Sequence, residues 1–393
     1  VGGDVRPAPA FIGAALSAAV VFHVSLGSAK EASPESAGHE DKINTQTEVV
    51  DLSLLTGMEA LVGKLDRKRV VFVGETHDRY EDHLDELAII EGLHAKGEDL
   101  AIGMEMFQQP FQKDLDAYVA GEISETEMLR RTEYFDRWRF DYRLYRPILR
   151  FAREHRVPVV ALNLEKEITE KVGDRGLDAL TDAERARIPA EIDRSDTQYR
   201  ERIRGVYDRH PRAGRASFEH FLDVQLLWDE GMAARGARYL KEHPDKHLVI
   251  LAGGGHLEYG QGIPQRLLRR VKVDSAIVLN GTGRNPDPKL ADYLLYPSPA
   301  ELPAPGLLGV MLDTSSEGKG VLVRGFAQGS GAKAAGIVSG DRIVRIGEEP
   351  IGSYSDIRIA LVDSRPGEKV RVEVLREHMI AADEQLTFEV ELH

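Results

Sequence analysis

Residues 69–77, Arg-Val-Val-Phe-Val-Gly-Glu-Thr-His, decide how the rest of the chain is read. Four β-formers in a row, Val70 to Val73, make a run too short for an ordinary helix, and it stops at Gly74, a carboxylate and an imidazole. A buried strand ending this way belongs in a parallel sheet, where ligands bind beyond the carboxyl ends of the strands. Glu75 and His77 stand at that end. In extended chain, residues two apart point the same way, so both side chains face one pocket.

Outward from this strand the pattern repeats. Apolar runs at 100–104, 157–162, 247–252 and 273–279 end in Glu105, Asn163, Gly253-Gly-Gly-His256 and Asn280-Gly281. Between them lie helical patterns at 82–95, 110–120, 125–131 and 142–155, and a long charged helical stretch over 165–241. Ser or Thr followed three residues later by Glu, at Thr56/Glu59, Ser124/Glu127 and Thr181/Glu184, predicts capped helix starts. The expected fold class is α/β: a mainly parallel sheet with helices on both faces and a helical insertion between the third and fourth strands. Six prolines in 285–305 read as a connector. Beyond it, short strands at 321–325, 342–346, 369–375 and 386–392 surround one helix near 355–362, a small β-rich domain. The expected division is 1–29 leader or membrane anchor, 30–53 linker, 54–284 α/β domain, 285–305 connector and 306–393 β-rich domain.

Composition narrows the classes. A length of 393 residues exceeds one typical core, and 42% hydrophobic with 30% charged residues is the balance of a folded, water-soluble chain. A net charge of −14 without any basic cluster argues against a nucleic-acid partner. The absence of cysteine excludes disulfides, thiolate metal sites and a lipid-bearing cysteine anchor. Residues 8–27 carry no formal charge and follow Arg6, as in an export signal or an uncleaved anchor, and the polar stretch after them reads as a tether. The expected location is therefore the bacterial cell envelope, periplasmic or anchored facing the periplasm.

The strand ends bring Glu75, His77, Glu105 and His256 to one edge of the sheet. Two imidazoles and two carboxylates suit a divalent metal such as Zn or Mn. A metal held there would lower the pKa of bound water, with Glu75 or Glu105 as general base; without a metal, His77 or His256 would activate water. A plainer account is also open, in which the same residues cap the following helix and close a turn.

In the carboxyl-terminal part, Leu307-Leu-Gly-Val310, Gly331-Ala-Lys-Ala-Ala-Gly-Ile337, Ser339-Gly-Asp-Arg-Ile343 and Pro366-Gly-Glu-Lys-Val370 resemble a bacterial PDZ domain. The resemblance implies a loop, Leu307, Leu308, Gly309 and Val310, whose N–H groups hold a peptide or protein carboxyl terminus. The peptide would add as a strand in a groove lined by Ile357 and Leu361. In the large domain, Gly74-Glu-Thr-His77, Gly103-Met-Glu-Met-Phe107, Tyr145-Arg-Pro147, Leu162-Asn163, Trp228-Asp229 with Met232-Ala233, and Ala252-Gly-Gly-Gly-His256 resemble the ChaN-like haem-binding family. That resemblance implies haem binding linked to iron uptake at the envelope, with a homodimer enclosing haem. A wider kinship to TIKI/TraB proteins and erythromycin esterases implies hydrolysis in the same pocket. Haem needs an axial ligand, and with no cysteine this is Tyr, His or Met. Tyr145 and Tyr142, in an aromatic-rich segment, are the candidate ligands, with Arg143 and Arg146 as candidate propionate partners. Three readings stay open: haem binding, metal-dependent hydrolysis, and a scaffold acting through its PDZ domain alone.

Overall fold

The computed structural model describes residues 49–209, 217–315, 318–378 and 383–393; the leader-like segment and most of the expected linker lie outside the described residues. Strand β1 (Val70–Glu75) is buried along its whole length and sits inside a six-stranded sheet with β2 (Leu100–Gln108), β3 (Val159–Asn163), β4 (His247–Gly253), β5 (Ser275–Asn280) and β6 (Tyr293–Leu295). The order is β3-β2-β4-β1-β5-β6 and every pairing is parallel. Alternation divides β1 between two cores: Val71 and Val73 join one cluster, Val70 and Phe72 the other. Ile89 and Ile90 of the helix Tyr80–Ala95, and Ile148 and Leu149 of Tyr142–His155, cover the first face. Met232 and Ala233 of the 25-residue helix Phe218–Glu242, with Leu267 of Ile263–Arg270, cover the second. Burying each large apolar side chain of this kind contributes about 1.5–3 kcal/mol.

The parallel sheet, its two helical layers and the insertion between β3 and β4 agree with the sequence reading. Two details differ. The expected connector at 285–305 contributes β6, because Tyr293-Leu-Leu295 lies clear of the prolines and an edge strand needs pairing on one side only. The helix Met58–Leu65 starts from Gly57 without a side-chain cap, whereas Thr181 and Glu184 do form a reciprocal capping box.

The chain then builds a second, antiparallel sheet of β7 (Val310–Asp313), β8 (Val321–Phe326), β9 (Arg342–Ile346), β10 (Glu349–Pro350), β11 (Lys369–Arg376) and β12 (Glu384–Glu391). Its order is β12-β11-β9-β8-β7, with β10 paired to β9, so β7 is an edge. The helix Tyr354–Ala360 sends Ile357 and the following Leu361 into this domain's core and Ile359 into the core of the large domain. Arg130 bonds Glu349 at 2.9 Å and Arg358 stacks 4.8 Å from the ring centroid of Phe135, so the two domains meet along this helix. Among the described residues no helix is long and apolar enough to cross a membrane.

Candidate functional site

The connection from β1 to β2 leaves in one direction and that from β4 to β5 in the other, although β1 and β4 are neighbours. Such a reversal opens a crevice outside the carboxyl ends of the two strands. A cavity of about 380 Å³ occupies this crevice, and Glu75, His77, Glu105 and His256 all line it.

Each imidazole is paired with a carboxylate, and the partner of His256 is Asp229, not Glu105. His77 Nδ1 donates to the buried Glu75 carboxylate. His256 Nδ1 donates to Asp229 Oδ1 at 2.7 Å, and Tyr199 donates to the other oxygen of Asp229 at 2.6 Å. Glu105 accepts the Gly253 N–H at 2.8 Å and stands 3.6 Å from His256 Nε2. A Cβ on Gly253 would lie 2.9 Å from Cε1 of His77, so glycine there lets the imidazole approach the backbone. Each imidazole also meets an indole edge-on: His77 with Trp138 at 4.8 Å, His256 with Trp228 at 6.1 Å between centroids.

Burial alone would push these imidazoles toward neutrality, but the carboxylates overcome it. Glu75, with Glu105 and Glu86 beyond it, raises His77 to about 9. Glu105 and Asp229 raise His256 in the same way. Burial works to raise Glu75 as well, yet the His77 and His83 charges hold it below its ordinary value. His83, bonded to Glu86 at 2.9 Å, extends the network behind β1, where burial pushes Glu86 up to about 7. At neutral pH His77 is therefore an imidazolium beside a carboxylate.

This geometry corrects two expectations. Among the described residues no group of three or more His, Asp or Glu is arranged to hold a metal ion, so Glu75, His77, Glu105 and His256 do not form the expected metal cage. Glu75 is taken up by His77, and one oxygen of Glu105 by the Gly253 amide. The expected haem ligands Tyr142 and Tyr145 do not line the cavity; both are fully buried on the core side of their helix, and burial raises both hydroxyls well above their ordinary value. Tyr145 lies behind Glu75, donating to it at 3.5 Å. Nor do the expected propionate partners reach the cavity: Arg143 pairs with Asp141 and donates to the Pro303 carbonyl at 2.9 Å, and Arg146 is held by Glu125 and Asp363. The aromatic residues at 134–145 are spread over the helix Tyr134–Arg137, the link after it and the start of Tyr142–His155, and Tyr134, Phe135, Tyr142 and Tyr145 all turn into the core.

The sequence reading assigned no role to Asp229, Tyr259, Arg202 or Arg284. Asp229 stands in a helix at a buried position, and a carboxylate on a buried face was the available signal. Tyr259 lines the cavity mouth, 43% exposed, three residues after His256 in a turn with φ of +58°.

A second cavity of about 360 Å³ lies along the β7 edge. Leu307, Leu308, Gly309, Val310, Ile357 and Leu361, all named from the sequence, line it together, and so do Phe135, Asp141 and Arg143 of the large domain. Gly309 has φ of +75°, and a Cβ there would meet Ser330 and His393 at 2.7 and 2.5 Å.

The family model described as haem-binding uptake, Tiki superfamily, ChaN matches residues 61–267, more than half of the chain. The chain belongs to the ChaN haem-binding family. A PDZ model matches residues 306–392, the antiparallel sheet and its helices. No curated protein matches the chain. Among solved structures, cofacial haem binding to ChaN of Campylobacter jejuni is similar at 18% identity, covering 61% of this chain and 92% of that one, with a TM-score of 0.49. An erythromycin esterase, the EreC mutant in its open conformation, is similar at 16% identity over 56% of this chain and 72% of that one, with a TM-score of 0.35. The PDZ domain of a carboxy-terminal protease from Vibrio cholerae, in complex with peptide, is similar at 23% identity over 23% of this chain and 95% of that one, with a TM-score of 0.19. Membership rests on the family model, and the cavity described above is the strand-end cavity of the ChaN domain.

Proposed function

We propose that the ChaN domain binds haem in the strand-end cavity, and that the chain handles haem or iron at the bacterial cell envelope. The observation that carries this reading is the cavity's lining: an apolar wall of Ile203, Val206, Phe221 and Val224, indoles at both ends, and cations on Arg137, Lys166, Arg202 and Arg284. About 380 Å³ is in the range of sites for cofactors and ligands of this kind. The donor set fits haem. His77, raised to about 9, is held as a cation by Glu75, which suits it to a propionate group, whereas Tyr259 offers a phenol, the donor type suited to ferric iron. Bound haem would supply the iron; the chain's own residues orient it, neutralise its propionates and exclude water from one face. A second copy closing over the mouth would cover the other face, making a homodimer around haem. The family description supports uptake, and the leader-like residues 8–27 support export.

The test is an absorbance titration with haemin of the wild type, Tyr259→Phe and His77→Ala. A saturable Soret shift whose ligand-dependent bands change in Tyr259→Phe is expected, with weaker affinity but an unaltered spectrum in His77→Ala. Saturable binding with an unaltered Tyr259→Phe spectrum would move the ligand to His256. Absence of saturable uptake by the wild type would end the haem reading.

One observation favours a second reading, hydrolysis. A buried Asp229 orients His256, whose other nitrogen faces Glu105, an arrangement that moves protons. Glu105 and Asp229 raise the pKa of His256 against its burial, which favours the proton-bearing form that a general acid needs. Ester or peptide turnover abolished by His256→Ala would establish it. For the PDZ domain, the proposed role is capture of a peptide carboxyl terminus, with the Leu307–Val310 amides holding the carboxylate.

A further inference from the structure

The PDZ groove is not closed by PDZ residues alone. Phe135, Asp141 and Arg143 of the ChaN domain form part of its wall. Arg143 donates to the carbonyl of Pro303, which places a guanidinium beside the segment leading into the carboxylate loop. The groove is apolar at Leu308, Val310, Leu312 and Ile357, and its edge strand β7 has unpaired backbone on that side.

The helix Tyr354–Ala360 that lines this groove is packed on both sides. Ile357 and Leu361 face the PDZ core, while Ile359 lies in the core of the ChaN domain and Val362 packs against it. Arg358 covers the ring of Phe135. Phe135 belongs to the short helix Tyr134–Arg137, and Arg137 with the following Trp138 lines the haem cavity. Trp138 in turn is edge-on to His77 at 4.8 Å. One segment, 134–143, therefore walls both cavities, Arg137 and Trp138 on one side, Phe135, Asp141 and Arg143 on the other.

We propose that the groove is a site shared by both domains, that it takes a polypeptide carboxyl terminus with an apolar last side chain, and that filling it shifts the wall of the strand-end cavity. This rests on the peptide-binding reading of the PDZ domain. A peptide strand added to β7 has to wedge between that edge and the helix Tyr354–Ala360. The helix has a close-packed neighbour behind it, so displacement is passed to Phe135 and Trp138 and not absorbed by a void. Arg143, paired with Asp141 on the same wall, keeps guanidinium N–H groups beyond those that Asp141 and Pro303 take, and these can turn to a carboxylate alongside the loop amides.

The experiment uses the full chain carrying Trp228→Phe, in which Trp138 is the remaining tryptophan, since the sequence contains two. The probe is the tryptophan-free decapeptide Gly-Ser-Gly-Ser-Gly-Ser-Ala-Ala-Leu-Val, as free acid and as amide. Binding is read by calorimetry and Trp138 by its emission, so the readout needs no haem. Expected are binding of the acid at least ~10-fold tighter than the amide, the value of one charge-assisted contact set, and an emission shift that saturates with binding. Arg143→Gln should weaken the acid and spare the amide. Ile359→Ala, or Arg130→Ala with Asp363→Ala where the first fails to fold, should bind peptide without moving Trp138. Where haem binds, saturating peptide should change its affinity by ~5-fold or more, the usual scale of coupling between sites. Peptide binding with an unmoved Trp138 would overturn the shared wall, equal binding of acid and amide would overturn the carboxyl-terminus assignment, and failure of haem uptake alone would touch neither.

Discussion

The strand-end cavity and the PDZ groove are nearly equal in size, about 380 and 360 Å³, and are made of different materials. The first is lined at its base by ionisable side chains paired inside the protein: His77 with Glu75, His256 with Asp229. The second offers backbone groups of the 307–310 loop and an edge strand, with mainly apolar side chains around them and the Asp141–Arg143 pair on one wall. Buried charge pairs are held at a desolvation cost and respond to pH and to loss of a partner. Backbone amides and apolar walls do neither. The two sites should therefore fail under different insults, and the difference can be broken or sharpened by mutation.

The largest effect is expected for Glu75→Ala, which leaves the buried His77 without its counter-ion and should cost about 3–5 kcal/mol in denaturant unfolding. Below its unfolding transition this variant should still bind peptide; peptide binding lost while the ChaN domain remains folded would break the distinction. Next comes pH. His77 is raised from near 6.5 to about 9, so its contribution is full below about 6.5 and is lost as pH climbs through about 9. Glu75 is lowered, so its contribution is present above its ordinary value of 4.5 and is lost as pH falls below it. Stability from this pair should peak between those limits, by up to about 3 kcal/mol, and His77→Gln should flatten the alkaline limb of a thermal-unfolding series. Peptide affinity should stay level across the same alkaline range.

Gly309→Val strikes the other side. Its φ of +75° and the contacts waiting for a Cβ should cost about 1–2 kcal/mol and abolish peptide binding, with haem titration unchanged. The smallest effect belongs to Tyr145→Phe. The hydroxyl contributes one long hydrogen bond to Glu75, so a loss of about 1 kcal/mol or less in stability is expected, with an unaltered haem spectrum. A lost Soret shift in that variant would restore the tyrosine that burial removed.

The contrast also explains what could be read from the chain beforehand. Strand ends were legible because a run such as Val70–Val73 halting at Gly-Glu-x-His breaks its own period, and the parallel sheet converts that break into a location. The PDZ loop was legible because backbone geometry demands glycine at Gly309 and Gly336, both at positive φ. Tyr142 and Tyr145 were misplaced because sequence gives the helix and its aromatic face but not which way the face turns. Asp229 escaped a role because its partner His256 lies 27 residues on, beyond the end of the helix and strand β4, and no local pattern records that pairing. Strand β6 was hidden by the prolines on either side of it.

The order of the strands carries one more consequence, for the time at which the fold can form. β1 is flanked by β4 and β5, with Val70 paired to both Leu248 and Ser275, so the strand that starts the sheet has no partner until the whole helical insertion has been made. Contacts of such long sequence separation close late and slowly. On a ribosome the Glu75–His77 end would stay solvent-exposed and unstructured through most of synthesis.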